Sequence, residues 1–390
     1  MKIAIFSDNF YPELSGVADS IIKLAAELSK LGHEICFFVP RYGARDYQMV
    51  NLPARELDLG ENIKIKRLFS LPASFAGAQS RLVLPLFSGR LFKEFKPDII
   101  HSQLFFGTGL EALLLAKLNK LPLIGTNHTS IADFVPGNFA KKQSLKYAAW
   151  YYNCCDFVTA PSQSVFEDMN RSGFNKPYEV ISNPIATDIF YSSAEKEGNK
   201  NKFGLSGNTV IYAGRLSPEK NIEVIIRAAA LVKRKISDIN LAIAGSGKSE
   251  KELRRLVQGL DLEKQVKFFG TVSKENLAKL YQVSEIFAIA SASETQSMTL
   301  MQAMACGLPA IVVNARALPE YVNDKNGFVV KPGDHEAMAE KIVLCLKNKE
   351  LRQRLGCGAA EFAKQFSAPE IAKKWEKLYE KMISEHKAKA

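Results

Sequence analysis

Short runs of β-branched and apolar residues alternate with amphipathic helical stretches along most of the chain, and the pattern occurs twice. Such alternation predicts parallel sheets covered by helices on both faces. The predicted strands are residues 2–7, 34–39, 98–101, 121–126, 156–160 and 178–182, then 209–214, 240–245, 266–270, 286–291, 310–314 and 328–331.

The first strand and its helix show the pattern in detail. Ser15 is a predicted N-cap, apolar residues follow at helical spacing from Val17 to Leu31, and Gly32 predicts the end of the helix. Ligands of such sheets bind beyond the carboxyl ends of the strands, so the strand-to-helix loops are where functional residues are expected.

A polar segment over residues 192–208 interrupts the alternation and predicts a linker between two doubly wound α/β domains. A chain of 390 residues is long enough for two or three domains. We place the first domain at residues 1–190 and the second at 191–367. The charged amphipathic stretch near 369–386 predicts a last helix, left over once the second sheet is complete.

Composition excludes several classes of protein. No apolar run approaches the roughly 18 residues of a spanning helix, and the first apolar run is too short for a signal-peptide core. The six cysteines form no Cys-x-x-Cys pair and four lie in apolar contexts, which favours structural cysteines in a reducing cytoplasm. Lys and Arg outnumber Asp and Glu by 52 to 41, a net charge of +11 that predicts an anionic partner: nucleic acid, a phosphate-bearing ligand or a membrane surface.

Several well-known functional motifs are absent from the sequence. The Gly245–Ser249 run lacks the first glycine of a phosphate loop and the third glycine of a dinucleotide fingerprint. No Asp-x-Asp, His-Glu-x-x-His or Gly-x-Ser-x-Gly motif occurs, so neither a metal site nor a serine esterase is predicted. The basic residues form no single stripe, and we expect no nucleic-acid partner.

Four loops at predicted strand ends carry candidate functional residues. Residues 11–16 end in Gly16 at a helix start, where free N–H groups suit a phosphate, and His128 ends another strand. Arg215 and Lys220 lie in the first loop of the second domain, where a diphosphate could bind. In the segment 293–309, Glu294 precedes a helix start, an arrangement suited to holding a sugar hydroxyl beside a phosphate. Taken singly, the first loop reads as an ordinary turn and His128 as a structural histidine.

Together these loops resemble the retaining glycosyltransferases of the GT-B fold, in the large family that includes bacterial diacylglycerol glucosyltransferases and phosphatidylinositol mannosyltransferases. The resemblance covers nearly the whole chain, through residues 12–16, 32–34, 214–221, 244–247 and the Glu294 segment. It implies two Rossmann-like domains facing a cleft, with the last helix, about 368–390, crossing back to the first domain.

The resemblance also implies roles for individual residues. Arg215 and Lys220 clamp the donor diphosphate in place of a metal ion. Glu294 accepts hydrogen bonds from the transferred sugar, and the amides around Met298 and Thr299 face the diphosphate. In the first domain, by the same resemblance, the loop at Gly16 closes over the donor and His128 contacts the sugar near its reacting carbon. The anomeric configuration is retained by front-face attack with a diphosphate oxygen as base, so no enzyme nucleophile and no cofactor is implied.

One position departs from the family. Gln302 stands where the motif has a second Glu, which accepts hydrogen bonds from the nucleotide ribose. The amide keeps one carbonyl acceptor but loses the charge, so the bond should weaken by about 1 kcal/mol.

The acceptor is predicted from two features. Residues 294–296 and 127–130 look most like those of diacylglycerol glucosyltransferases that use UDP-glucose. Residues 63–97 carry seven Lys or Arg and one acid among many apolar side chains, a mixture suited to anionic lipid headgroups. A loop followed by one core helix explains that segment equally well. A weaker basic and aromatic group is Lys141, Lys142 and Lys146 before Trp150.

The hypothesis is an α-glucosyltransferase that moves glucose from UDP-glucose to a membrane lipid such as 1,2-diacylglycerol. We expect it in the cytoplasm, peripheral on the inner face of the membrane. The alternatives are a GDP-mannose-dependent mannosyltransferase acting on a lipid or glycan, and a non-catalytic nucleotide-sugar-binding protein.

Overall fold

The computed structural model describes residues 1–13, 15–50, 52–73, 81–84, 88–129, 137–193 and 200–389. The chain forms two compact units. Unit 1 comprises Met1–Pro184 and Ala368–Ala390, and unit 2 comprises Ile185–Ser367. Parts of the sequence predictions lie outside the described residues: Leu14 of the first loop, Phe75, Leu86 and Phe87 of the basic segment, Ser130 after His128, and residues 194–199 of the predicted linker.

Unit 1 is built on a parallel seven-stranded sheet. The described strands of unit 1, in chain order, are β1 (Lys2–Phe6), β2 (Glu34–Pro40), β3 (Ile63–Leu68), β4 (Ser70–Pro72), β5 (Arg81–Val83), β6 (Ile99–Ser102), β7 (Leu123–Thr126), β8 (Phe157–Ala160) and β9 (Tyr178–Val180). The order across the sheet is β3-β2-β1-β6-β7-β8-β9, and β4 and β5 form a separate antiparallel pair.

Helices cover both faces of this sheet. They are α1 (Gly16–Lys30), α2 (Ala44–Gln48), α3 (Gly89–Phe95), α4 (Gly107–Asn119), α5 (Asn138–Asn153) and α6 (Gln163–Asn170). The Ser15 hydroxyl accepts from Ala18 N at the start of α1, as predicted, and Gly32 follows the helix with a φ of 86°. The last helix of the chain, Ala368–Lys389, packs against α1.

Strand β1 shows why the sheet needs cover on both sides. Ile3 and Ile5 point into a core that includes Trp375 from the last helix, whereas Ala4 and Phe6 belong to a second core on the opposite face. Successive side chains of a strand alternate between faces, so a strand buried on both sides reads as a continuous apolar run. The continuous apolar run is the signal from which β1 was predicted.

Strand β3 was not predicted. It pairs with β2 at the edge of the sheet, and its alternating Ile63, Lys64, Ile65 and Lys66 give a half-exposed pattern instead of a buried run. Part of the basic segment therefore belongs to the sheet.

Unit 2 is also a parallel sheet with helices on both faces. Its strands are β10 (Asn208–Ala213), β11 (Ile239–Ala244), β12 (Val266–Gly270), β13 (Ile286–Ile289), β14 (Ala310–Val313) and β15 (Gly327–Val330), in the order β12-β11-β10-β13-β14-β15. Its helices are α7 (Ile222–Lys233), α8 (Glu250–Gly259), α9 (Lys274–Gln282), α10 (Met298–Ala305), α11 (Leu318–Tyr321), α12 (His335–Lys347) and α13 (Lys349–Lys364); the last helix, in unit 1, is α14. The prediction of two parallel α/β sheets is confirmed.

Candidate active site

The candidate site of unit 2 lies where the strand order of its sheet reverses. Strand β10 pairs with β11 on one side and β13 on the other, and the chain leaves β10 in one direction and later returns to its other side. Crevices at such switch points, beyond the carboxyl ends of the strands, are the usual ligand sites of open α/β sheets. The loops after β10 and β13 carry Arg215, Lys220 and Glu294.

Lys220 and Glu294 form the central contact of this site. The Lys220 Nζ atom donates to Glu294 Oε1 at 2.6 Å, and the two side chains are only 13% and 11% exposed. A second bond joins the same two loops, because Ala292 N donates to Glu219 O at 3.1 Å. The predicted phosphate-binding cation and sugar-binding carboxylate are therefore neighbours.

Local sequence explains how Lys220 reaches that position. Residues Pro218–Lys220 form one turn of 3-10 helix, with the proline at a position where its missing N–H costs nothing. Asn221 then adopts a left-handed φ of 48°, which asparagine tolerates better than most residues, and its Nδ2 donates to Ala290 O at 3.2 Å. This side-chain bond again ties the end of β10 to the end of β13.

Arg215 lies at the open side of the site. Its side chain is 63% exposed, and its NH2 atom is 3.9 Å from Glu219 Oε1. Burial alone would raise the pKa of the Glu219 carboxyl, but the Ser217 hydroxyl bond at 2.5 Å and the Arg215 charge hold it below its usual value. Arg215 is thus a solvent-accessible cation held loosely by one carboxylate.

The glycines of the 245–249 run have a packing role. A Cβ atom on Gly245 would lie 1.9 Å from Gly214 O, and one on Gly247 would lie 2.3 Å from Leu216 O. Gly214 N donates to Ala244 O, and Leu216 N donates to Ser246 O. The run therefore supports the Arg215 loop by close backbone contact, in keeping with its failure to match a phosphate loop.

Helix α10 supplies backbone donors beside Glu294. Ser297 is its N-cap and accepts from Leu300 N at 3.3 Å, so Met298 and Thr299 occupy the first helical turn. The first N–H groups of a helix have no partner within it and favour an anion. Both residues are partly exposed, and so is Gln302 one turn further on.

In unit 1, the predicted residues Gly16 and His128 follow different strands. Gly16 begins α1 after β1, and His128 lies just beyond β7. His128 is only 5% exposed, and its Nε2 is 2.6 Å from Gln103 Oε1. Burial lowers the pKa of His128 to about 4, so the imidazole is neutral at pH 7.

Sequence reasoning missed three buried polar residues in and after the strands of unit 1. His101 lies in strand β6 and Gln103 directly follows that strand; both are buried, and Gln103 contacts His128. Asp8, just after β1, is also buried, accepts from Thr108 N at 3.0 Å, and has its pKa raised to about 6 by desolvation. Asp8 and Gln103 follow buried strands, a signal that was applied to His128 but not to these two residues. His101 lies inside its strand and gives no such signal.

Comparison with known proteins decides the family. Residues 14–189 match the family described as Glycosyltransferase Family 4, and residues 193–362 match Glycosyl transferases group 1. The alpha-monoglucosyldiacylglycerol synthase of Streptococcus pneumoniae is 30% identical over 355 residues, covering 86% of this chain and 76% of that protein. The chain is a family 4 glycosyltransferase.

A further relative agrees with this assignment, and a solved structure shows the same fold. The alpha-monoglucosyldiacylglycerol synthase of Acholeplasma laidlawii is 26% identical, covering 100% of this chain and 99% of that protein. The structure of Anabaena HepE in complex with UDP superposes with a TM-score of 0.80 at 20% identity, covering 98% of this chain and all of that one. The expected GT-B fold and retaining hexosyltransferase class are therefore confirmed for this glycosyltransferase.

Within the described residues of the glycosyltransferase, no group of three or more His, Cys, Asp or Glu side chains is placed to hold a metal ion. Nor does any described helix have the length and apolarity needed to cross a bilayer.

Proposed function

We propose that this glycosyltransferase transfers glucose from UDP-glucose to a membrane lipid, with 1,2-diacylglycerol as the acceptor and an α-glycolipid as the product. The observation that carries the proposal is the Lys220–Glu294 contact at the switch point of unit 2. It places a cation for the diphosphate next to an acceptor for sugar hydroxyls. The similarity of this chain to two alpha-monoglucosyldiacylglycerol synthases supports the choice of donor sugar and lipid.

Charge at the leaving group explains the need for the two cations. As the bond to the sugar breaks, negative charge develops on the diphosphate, and preorganised donors lower the barrier. An ammonium has three N–H donors, so Lys220 can keep its bond to Glu294 while the others bind phosphate oxygens. Arg215 is free to move because its side chain is largely exposed, and its planar fork suits phosphate.

Glu294 performs two tasks in this proposal. One carboxylate oxygen holds Lys220, and the other is available to accept from hydroxyls of the transferred sugar. The amides of Met298 and Thr299 receive the diphosphate from the other side, with Gln302 accepting from the ribose. In unit 1, Gly16 lets the first loop approach the donor, and His128 contacts the sugar.

A lipid acceptor requires contact with a membrane, and helix α5 offers a suitable face. Phe139 is 78% exposed and Trp150 is 50% exposed, with the exposed Lys142 and Lys146 between them. At 100° per residue these four side chains lie on one stripe, and α5 contains no acidic residue. Aromatic and basic side chains on one helical face suit the interface of an anionic bilayer.

The apolar side chains of residues 63–97, the segment suited to lipid headgroups, are divided between the core and the surface. Phe92 and Phe95 of α3 are buried, as the core-helix alternative expects. Phe69, Leu71 and Leu82, on the strand pair β4–β5 and just before it, are 52%, 46% and 39% exposed. The second set supports a bilayer contact, and the first does not.

A matrix of donors and acceptors tests the proposal. Purified protein is incubated with UDP-glucose or GDP-mannose and with vesicles that contain or lack diacylglycerol, and nucleotide release and glycolipid are measured. We expect both products only with UDP-glucose and diacylglycerol. Activity only with GDP-mannose would assign a mannosyltransferase, and donor binding without release in any pairing would assign a non-catalytic binder.

A further inference from the structure

A buried polar chain connects His128 to the last helix of the molecule. His128 Nε2 is 2.6 Å from Gln103 Oε1, and the Gln103 amide nitrogen lies 3.1 Å and 3.2 Å from the two ring nitrogens of His101. His101 Nδ1 is in turn 2.6 Å from the hydroxyl of Tyr379 in α14. Every member of this chain is at most 5% exposed.

The chemistry of the amide fixes the direction of the first contact. An amide oxygen can only accept, so the bond at Gln103 Oε1 requires a proton on His128 Nε2. A neutral imidazole has one proton, which leaves Nδ1 of His128 as its acceptor nitrogen. Turning the amide over would place its NH2 group against Nε2 and its oxygen against His101, reversing the tautomer that His128 must adopt.

His101 is held in place from three sides. Its Nε2 is 2.7 Å from Thr126 Oγ1, its Nδ1 meets Tyr379, and its ring lies 4.3 Å from that of Trp375. Trp375 and Tyr379 both belong to α14 and are buried. Two residues of the last helix therefore fix the ring that contacts the Gln103 amide.

We propose that Gln103 is a positioning residue that holds His128 in the Nε2-protonated tautomer, and that α14 sets the position of Gln103 through His101 and Tyr379. The His128 ring is thereby held as a neutral imidazole of defined tautomer. The effect of this tautomer on turnover rests on the proposed glucosyl transfer. The assignment of the tautomer does not depend on that proposal.

The first experiment measures the tautomer directly. The protein has five histidines, so nitrogen-detected NMR of ¹⁵N-histidine-labelled protein gives few signals, and His128→Asn assigns the one of interest. We expect the Nε2-protonated form in the wild type. Gln103→Met, which keeps the length of the side chain but removes both polar groups, should give a mixture of tautomers. Nδ1 protonation in the wild type, or an unchanged signal in Gln103→Met, would overturn the proposal.

The second experiment separates positioning from folding. Gln103→Met should lower kcat about 10- to 100-fold while KM for the donor changes less than twofold, because a misaligned contact is lost in the transition state. Gln103→Glu keeps an acceptor at Nε2 and adds a charge that favours the imidazolium. It should therefore retain more activity at pH 8 than at pH 6, unlike the wild type.

Two variants that each remove a contact with α14 complete the design. Tyr379→Phe removes only the hydroxyl and should lower kcat in the same direction but less. His33→Ala breaks a different α14 contact, the 2.9 Å bond from His33 to Glu376, and should leave kcat unchanged. Equal losses in these two variants would show general loosening of α14 and contradict the proposal. If the wild type transfers no sugar from any donor, the proposed function fails, and the NMR result still decides the role of Gln103.

Discussion

The Nζ atom of Lys220 lies 2.6 Å from Oε1 of Glu294, although 74 residues separate them in the chain. Their loops follow β10 and β13, which pair directly in the sheet. The parallel arrangement brings both carboxyl ends to one edge, so the contact follows from topology. Any ligand that binds there meets a cation and a carboxylate that already neutralise each other.

Removing the cation should affect the reaction more than the fold. We expect Lys220→Met to lower kcat by about 10²- to 10³-fold, the usual effect of deleting one donor to a developing anion. The variant also leaves Glu294 without its partner, so its thermal unfolding is measured in parallel. Lys347→Met, at an exposed position in the same unit, is the matched control. Equal turnover in the two variants would exclude the proposed role of Lys220.

Restoring the family residue at 302 should strengthen nucleotide binding. Gln302→Glu regains a charged acceptor for the ribose hydroxyls, worth about 1 kcal/mol, so Kd for UDP should fall about fivefold. Calorimetric titration of wild type and variant with UDP measures the change. An unchanged or weaker affinity would mean that residue 302 does not contact the ribose.

Acid should destabilise unit 1 through His128. Its pKa is about 4 in the folded protein and about 6.5 when unfolded, so the unfolded chain binds more protons between these values. Stability from this group is complete above pH 6.5 and is lost as the pH falls towards 4. By pH 5 the loss is about 2 kcal/mol.

Chemical denaturation at pH 7 and pH 5 checks this expectation. His128→Asn should lose less free energy of unfolding between the two pH values than the wild type does, whatever its stability at pH 7. A His33→Asn variant serves as the comparison. If His128→Asn and the wild type have the same pH dependence, His128 is not buried in its neutral form.

The α5 face should bind anionic vesicles. The double variant Lys142→Gln/Lys146→Gln should lose about 1 kcal/mol of binding free energy for each lysine, so binding should weaken about 30-fold. Co-sedimentation with phosphatidylcholine vesicles, with and without phosphatidylglycerol, measures it. The control is Lys347→Gln/Lys349→Gln, which removes the same charge from exposed positions of unit 2. Similar losses in both double variants would assign the binding to net charge and not to this face.

Local patterns predicted the sheets well because strands buried on both faces leave a continuous apolar run, as Ile3 to Phe6 do. The same logic failed for β3, whose lysines alternate with isoleucines at a sheet edge. Arg215, Lys220 and Glu294 were chosen as candidates because each lies in a loop that follows a predicted strand. The contact between Gln103 and His128, and that between His101 and Tyr379, join distant parts of the chain, and no local pattern encodes such pairs.

The most direct test of the central claim compares wild type with Glu294→Gln in glucose transfer to diacylglycerol vesicles. Initial rates are measured with UDP-glucose, and the anomeric configuration of the glycolipid is determined by NMR. We expect an α-linked product from the wild type and a kcat at least about 100-fold lower in Glu294→Gln, which keeps the shape of the side chain but loses its charge. A β-linked product, or a Glu294→Gln rate equal to that of the wild type, would contradict the claim.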